Sequence, residues 1–193
     1  SRWTDINVKR PDKDDLVVSG SDVPVMTSLF NDVKGEVLGL SHESKIYRLS
    51  CADGRITCEL KGSVSSLLKK EEVNSVCIDR EGRLWLNTTL GRILRSDETM
   101  HKFENVSLDN EIDDCTVLGL LSDKNSVWII TNKKVLQYNI DSQTFQHYST
   151  ADDNIMVDVF RYKAISLDGW GGLYVGGHRG FRHIRPGNAS AVK

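Results

Sequence analysis

The sequence predicts an all-β protein built from about four copies of a four-stranded antiparallel meander. The first observation is a repeated motif, in which an Asp lies six positions and a Gly three positions before a bulky residue. The second is its spacing, because the four bulky residues (the anchors) Leu38, Trp85, Trp128 and Tyr174 are 47, 43 and 46 residues apart. The third is that short apolar runs and turn residues recur around each anchor. A meander every ~40–50 residues is typical of a β-propeller blade.

The motif that precedes each anchor predicts a tight turn. It is clearest in Asp79–Thr88 and recurs from Asp32 and Asp168, whereas the third copy has Ser122 and Asn125 in the places of Asp and Gly. An Asp can bond to the backbone two residues on, and Gly tolerates positive φ. We therefore expect structural turns and not calcium or phosphate sites, since the further ligands of a calcium loop are missing. The three aromatic anchors are expected to lie in the core between adjacent blades.

The remaining apolar segments supply the other strands of each meander. They are short, often alternate with polar residues and favour β-branched and aromatic types, as half-buried strands do. In chain order they are Leu29-Phe30, Ile46-Tyr47, Ile56–Leu60, Val76 with Ile78, Ile93-Leu94, Met100–Phe103, Leu118 with Leu120, Val135-Leu136, Phe145–Tyr148, Ala164-Ile165 and Phe181. Helical periodicity is only weakly indicated, over residues 63–72.

These segments predict one propeller domain or fragment across residues 1–193, with approximate blades at 24–62, 63–106, 107–150 and 151–186. A linker rich in proline is not expected, because the chain has 3 Pro. One further strand is predicted at Leu16–Ser19. It leaves two interpretations open: this strand completes the last blade and closes a four-bladed ring, or the chain is an arc of a larger propeller. We favour the arc, because the copies are unequal, no initiator Met is present and the last copy breaks off.

Composition excludes several classes of function. The chain has 25 Lys+Arg against 27 Asp+Glu, a net charge of −2, which does not suit a protein that binds nucleic acid. At 39% hydrophobic residues, the chain can bury a core and is not expected to be disordered. Its longest apolar run, Val117–Leu121, is far shorter than the ~20 residues of a membrane span. We therefore expect no nucleic-acid partner and no membrane contact by this segment.

The repeat resembles a known family. The unit Ile78–Thr88 followed by Gly91–Arg95 resembles the two-component-regulator propeller repeat, and Leu167–Phe181 is similar, so that the likeness spans about residues 25–186. Such repeats belong mostly to the periplasmic sensor regions of bacterial hybrid two-component histidine kinases. The resemblance implies a periplasmic input module that senses a small extracellular ligand, often a glycan fragment. It also implies that this segment is not an enzyme and that kinase activity lies elsewhere in a longer chain.

A ligand site is predicted in the loops that follow the anchor strands, because such loops of a propeller gather on one face. Polar and basic groups there would suit the hydroxyls or a carboxylate of an oligosaccharide. The candidate ligand-facing residues are His42, Thr89, Arg92, Asn132, Lys133, His178 and Arg179. We predict no catalytic residues, metal or cofactor, because no nucleophile–base motif and no metal-binding spacing is visible.

Two other functions remain open at this point. A non-catalytic scaffold would dock another protein or a second copy of itself, as a homodimer. For either function, the remaining blades of the same longer chain are expected partners. A propeller enzyme, such as the lyases with related rings, is the weakest alternative, because no acid and base stand at matching repeat positions.

The four cysteines, Cys51, Cys58, Cys77 and Cys115, have no CxxC spacing, so a zinc ribbon is not expected. A two-residue turn between the first two would place Cys51 opposite Ile56, which is poor disulfide geometry. All four are predicted to be small buried residues. Two acidic connections, residues 108–114 and 151–155, are predicted to be solvated loops.

Overall fold

The computed structural model describes residues 6–8, 16–18, 24–52, 55–108, 115–149, 160–177 and 180–185. Within these ranges the chain is almost entirely β-structure. The strands are β1 (Ile6–Val8), β2 (Leu16–Val18), β3 (Met26–Asn31), β4 (Val37–Ser41), β5 (Lys45–Ala52), β6 (Arg55–Ser63), β7 (Val73–Ile78), β8 (Leu84–Thr88), β9 (Ile93–Ser96), β10 (Phe103–Asn105), β11 (Val117–Ser122), β12 (Ser126–Thr131), β13 (Lys134–Asn139), β14 (Thr144–Ser149), β15 (Phe160–Leu167), β16 (Leu173–Gly177) and β17 (Gly180–Ile184). One short helix, α1 (Ser65–Leu68), precedes β7.

The strands form four successive antiparallel meanders, which confirms the predicted fold class. The first three sheets have four strands each, β3–β6, β7–β10 and β11–β14, and the fourth has three, β15–β17. We call each sheet a blade and its strands A to D in chain order. The predicted strand at Leu16 is present, but it pairs with β1 and not with the last blade. The closure of a four-bladed ring by this strand is therefore not observed.

The blades are arranged side by side, with their A strands adjacent. Strand β3 contacts β7, β7 contacts β11 and β11 contacts β15. Within the described residues, no comparable contact joins β15 back to β3. The four blades therefore form an arc, with the A strands on its inner side.

The apolar cores lie between neighbouring blades, because both faces of each inner sheet are apolar. Leu38 lies in the core that joins blades one and two, Trp85 in the core that joins blades two and three, and Trp128 in the core that joins blades three and four. The expected burial of the two Trp anchors is thus confirmed, and Leu38 is buried as well: all three are at most 2% exposed. Each anchor points toward the blade that follows its own.

The fourth anchor does not follow this rule. Tyr174 is 38% exposed, because it points away from the third blade toward a face that no described residue covers. The expectation that it is a core residue was wrong for that reason. Phe181, on the neighbouring strand, is also exposed and packs against the Tyr174 ring.

An Asp carboxylate holds each A–B turn together. In blade two, Oδ1 of Asp79 accepts hydrogen bonds from the backbone N–H groups of Glu81 and Arg83, both at 3.0 Å. Its Oδ2 accepts from Trp85 Nε1 and from Arg83 Nε, both at 2.8 Å. Gly82 in this turn has φ of 79°, which a residue with a Cβ rarely adopts. The same carboxylate therefore closes the turn and orients the anchor.

The third blade corrects the predicted alignment of the motif. The carboxylate of Asp123, and not Ser122, occupies the capping place: Oδ1 accepts from the N–H groups of Asn125 and Ser126, and Oδ2 from Trp128 Nε1 at 2.8 Å. The turn is one residue shorter, so that Asp precedes the anchor by five positions. A fixed spacing of six had concealed this Asp.

Close approach between blades makes one glycine necessary. A Cβ on Gly62 of β6 would overlap the backbone carbonyl oxygen of Met100, in the C–D turn of blade two. We expect Gly62→Ala to lower the free energy of unfolding by about 1–3 kcal/mol, because backbone must move to admit the methyl group. Chemical denaturation measures the change. Gly169→Ala is the matched control, since a Cβ there meets nothing within 4 Å; an equal loss in both variants would contradict the steric explanation.

The cysteines are less uniform than expected. Cys51 does pair with Ile56 across β5 and β6, as the turn predicted, and all four thiols are free. Only Cys77 is buried, however: Cys51 is exposed, and Cys58 and Cys115 are half-buried. Burial raises the pKa of the Cys77 thiol to about 12, so this thiol stays protonated and unreactive. Cys51 and Cys58 lie on the outer face of the first blade, which no described residue covers.

Candidate functional site

Antiparallel meanders place the B–C loops at one end of every blade and the A–B and C–D turns at the other. We call these the BC end and the AB end. At the BC end, three blades share one backbone contact to the residue before strand A: His42 N–H to Val25 O at 2.9 Å, Thr89 to Glu72 at 2.9 Å, and Asn132 to Thr116 at 3.0 Å. His42, Thr89 and Asn132 therefore occupy equivalent positions.

Two of these predicted site residues use their side chains within the protein. The Thr89 hydroxyl accepts a hydrogen bond from the Glu72 N–H at 3.2 Å, and Oδ1 of Asn132 accepts from the Thr116 N–H at 2.9 Å. Each side chain closes the loop onto the segment that enters strand A. The NH₂ group of Asn132 and the exposed ring of His42 are the groups that such a loop can offer to a ligand.

Arg92 also has internal partners. Its guanidinium forms an ion pair with Glu71 at 2.6 Å and donates to the Leu67 carbonyl oxygen at 2.8 Å. This hydrogen-bonded ion pair holds the pKa of the Glu71 carboxyl below its ordinary value. Arg92 thereby fixes the segment that follows α1 against the B–C loop of blade two.

The rest of the predicted set is only partly placed. Lys133 is exposed at the BC end, beside Asn132, and its backbone N–H donates to Thr131 Oγ1 at 3.2 Å. His178 and Arg179 lie outside the described residues, as do the acidic connections 109–114 and 151–155. The ligand site at the BC end stays a prediction.

A second candidate site, at the AB end, was not anticipated from the sequence. A cleft of about 430 Å³, which we call the first-interface cleft, opens between blades one and two. Its apolar floor is formed by Leu38 and Met100, and Asp32, Lys34, Arg48 and Lys61 line the side of blade one. The unusual anchor Leu38 was visible in the sequence, but its consequence depends on which side chains surround it.

The last blade has a different arrangement around its capping Asp. Oδ1 of Asp168 accepts from the N–H groups of Trp170 and Gly172, while Oδ2 accepts from His183 Nε2 at 2.6 Å. The His183 ring stacks on Tyr174 with 4.2 Å between centroids and 6° between planes. The Tyr174 phenol has no donor at the position of an indole Nε1. His183 therefore supplies the hydrogen bond to the capping Asp that the Trp supplies in blades two and three.

The contribution of Asp168 to stability is expected to depend on pH. The N–H of Gly172 foremost, together with His183 and Trp170, holds the pKa of Asp168 below its ordinary value. A depressed folded-state pKa stabilises the protein above the unfolded value of about 4, and this stabilisation is lost as pH falls through the folded-state pKa. We expect the thermal midpoint to fall more steeply below about pH 4 in the wild type than in Asp168→Asn. Parallel curves for the two proteins would contradict this assignment.

The described residues contain neither a candidate membrane helix nor a cluster of potential metal ligands. No helix there has the length and apolar character of a membrane span. In the same part of the chain, no three His, Cys, Asp or Glu side chains are grouped so that they could hold a metal ion.

Comparison with known proteins gives matches of structure only. No family model matches the sequence, and no curated protein sequence does. A structure of YCF48 bound to D1 peptide is 20% identical with a TM-score of 0.59, over 89% of this chain and 53% of that one. The extracellular domain of a protein assigned as a hybrid two-component system in B. thetaiotaomicron is 18% identical with a TM-score of 0.54, over 86% of this chain and 21% of that one. An inactive variant of virginiamycin B lyase from Staphylococcus aureus is 14% identical with a TM-score of 0.55, over 94% and 63%.

These matches establish the fold of the chain. It consists of β-propeller blades, and the extracellular domain of a two-component system, as the repeat motif predicted, is among the structures that share this architecture. The chain spans 53%, 21% and 63% of the length of the three matched proteins. Since the three matched proteins differ in role, the fold by itself does not define an activity.

Proposed function

We propose that this chain is an extracytoplasmic, ligand-sensing input module of a two-component signalling protein and that it recognises a glycan-derived ligand in the periplasm. The observation that carries the proposal is the repeat unit Ile78–Arg95, with its Asp cap and Trp anchor, on a fold shared with the extracellular domain of a two-component system. In this role the segment catalyses no reaction, and the signalling chemistry belongs to other parts of a longer chain.

The ligand in this proposal binds at the BC end. The binding groups in this proposal are those of His42, Lys133 and the Asn132 amide, with His178 and Arg179 as the predicted contribution of blade four. Thr89 and Arg92 hold the loops in place through Glu72 and Glu71. Imidazole, ammonium and amide groups together suit the hydroxyls and carboxylates of an acidic oligosaccharide.

A thermal-shift assay against a panel of oligosaccharides tests this function, because a ligand that binds only the folded chain raises the unfolding midpoint. We expect at least one acidic glycan to raise it and His42→Ala to abolish the shift. Lys124→Ala, an exposed position at the AB end, is the matched control and should retain it. No shift with any glycan, together with a molecular mass that rises with concentration, would favour a scaffold.

The scaffold alternative has an observation of its own. The two B-strand residues that flank each anchor face the preceding blade, and in blades two to four all six of them are fully buried. In blade one the equivalent Val37 is 41% exposed, and its neighbours on the same face, Leu29 and Leu60, are 59% and 56% exposed. This face has the apolar pattern of an interface between blades.

We propose that a preceding blade of the same longer chain covers this face. Light scattering of the wild type and of Leu29→Lys tests this proposal. If the covering blade belongs to another part of the longer chain, both proteins should be monomers. Reversible dimerisation of the wild type, lost in Leu29→Lys, would instead assign the face to a second copy.

A further inference from the structure

Blade two shows what an anchor of the Trp type requires around it. Trp85 on β8 pairs with Arg95 on β9, and Arg95 pairs with Glu104 on β10. The Arg95 guanidinium lies over the indole, 5.4 Å from the ring centroid, and forms an ion pair with Glu104. The indole N–H donates to Oδ2 of Asp79. The ring is thus held between a cation above and a carboxylate at its edge.

Blade one has the same surroundings without the ring. At the same register positions, Leu38 pairs with Arg48, and Arg48 pairs with Glu59. Asp32 caps the turn, as Asp79 does, through its Oδ1. Unlike Arg95, Arg48 has its closest ion pair with Glu36, at 2.9 Å, and lies 3.7 Å from Glu59. A cation and a carboxylate of the kind that hold the ring in blade two are still present, but Leu38 supplies no ring.

The facing blade also lacks a ring at the equivalent position. Tyr138 of blade three packs against Trp85, with 5.1 Å between the ring centroids. In blade two, which faces blade one, the position equivalent to Tyr138 holds Ser96, because Ser96 pairs with Phe103 as Tyr138 pairs with Phe145. Neither ring of the Trp85–Tyr138 pair has a counterpart between blades one and two, and the first-interface cleft opens there.

Two of the residues that line this cleft have a polar atom without a hydrogen-bond partner among the described residues. Oδ2 of Asp32 accepts no hydrogen bond from any described residue, whereas the equivalent oxygens of Asp79, Asp123 and Asp168 accept from Trp85, Trp128 and His183. Nε of Arg48 is buried without a hydrogen-bond partner. A carboxylate oxygen and a guanidinium are also the two groups that hold the indole in blade two.

We infer that the first-interface cleft is a binding site for a small, flat heteroaromatic molecule that carries an N–H donor, of the indole type. The ring rests on Leu38 and Met100 beneath the Arg48 guanidinium, and its N–H donates to Oδ2 of Asp32. Lys34 and Lys61 on one side, and Glu81 and Glu98 on the other, leave room at the rim for polar substituents. This site is at the AB end, so it is separate from the proposed glycan site and does not depend on it.

Protein-observed NMR with 3-methylindole tests the inference. We expect the amide signals of Gly82 and Thr99, which line the cleft, to shift on titration, at the submillimolar to millimolar concentrations typical of fragments. The matched probe 1,3-dimethylindole has the same ring without the donor and should bind about tenfold more weakly. N-acetyltryptophanamide distinguishes the source of the ring: tighter binding than 3-methylindole assigns the site to a Trp of a polypeptide, and weaker binding to a free molecule. No shift with any of the three overturns the inference.

Leu38→Trp is the decisive variant, because it supplies the missing ring from the chain itself. We expect it to raise the thermal midpoint, through a new hydrogen bond to Asp32, and to abolish 3-methylindole binding. Leu90→Trp is the control: Leu90 is 76% exposed at the BC end, and its replacement should leave binding unchanged. Asp32→Asn keeps the turn acceptor but loses Oδ2, and should remove the tenfold preference for the N–H probe. Unaltered binding in Leu38→Trp would place the probe elsewhere and overturn the inference.

Discussion

Replacing Asp79 with Ala should lower the free energy of unfolding by about 3–5 kcal/mol, the range for removing one partner of a buried ion pair. Its side chain is fully buried, and its two oxygens accept four hydrogen bonds. Without them, the indole N–H of Trp85 loses its acceptor, and the half-buried guanidinium of Arg83 keeps only its ion pair with Glu81. Urea denaturation followed by Trp fluorescence measures the loss.

Asp32→Ala is the matched comparison for that result. Asp32 occupies the same turn position, but only its Oδ1 is bonded, and only to backbone N–H groups. Its removal should cost about 1 kcal/mol. Similar losses in the two variants would show that turn capping alone, and not the bond to the anchor, accounts for the effect of Asp79.

Trp85→Ala should cost about 3–5 kcal/mol, as is typical when a large aromatic residue is deleted from a core. The indole is fully buried and packs between Tyr138 and Arg95, so its loss opens a cavity across the interface of blades two and three. The change should appear as a lower denaturation midpoint and, in NMR spectra, as altered resonances of the Tyr138 ring.

Trp170→Ala is the control for the deletion of a Trp. Trp170 is 94% exposed in the A–B turn of blade four, so its replacement should alter stability by no more than about 0.5 kcal/mol. A loss at Trp170 as large as that at Trp85 would mean that the exposed face of the last blade is covered in solution.

The fold could be predicted largely because each blade repeats the same capped turn followed by an anchor residue. The Asp cap, the Gly with positive φ and the anchor are all fixed by residues within one turn of the chain, so they leave a pattern in the sequence. The missed alignment at Asp123 shows the weakness of a fixed spacing. A turn shortened by one residue keeps the same hydrogen bonds, because the cap depends on the position of the carboxylate and not on residue count.

Exposure could not be predicted in the same way. Alternation along β16 indicates that Tyr174 and Val175 face opposite sides, but it does not tell which side another blade covers. Val175 is fully buried and Tyr174 is not. Cys51 was misjudged for the same reason, since its face of blade one has no neighbour among the described residues.

The candidate sites were the least predictable part. Sequence reasoning found the loops of the BC end, but not that Thr89 and Arg92 have partners within the chain. The first-interface cleft depends on the register that places Arg48 beside Leu38 and on the turns of blade two that face them. These relations arise from the pairing of separate strands, and no local motif encodes them.

Because every core is shared by two blades, the stability of this molecule comes mainly from the interfaces between neighbouring blades. The loss of one interface destabilises only the two blades that share it. A terminal blade, which packs against another blade on one side only among the described residues, should therefore unfold first. Native-state hydrogen exchange should therefore show slow amides in β8 and β12 and faster ones in β4 and β16. A further blade packed against blade one or blade four would slow amide exchange in that blade and leave exchange in the opposite terminal blade unchanged.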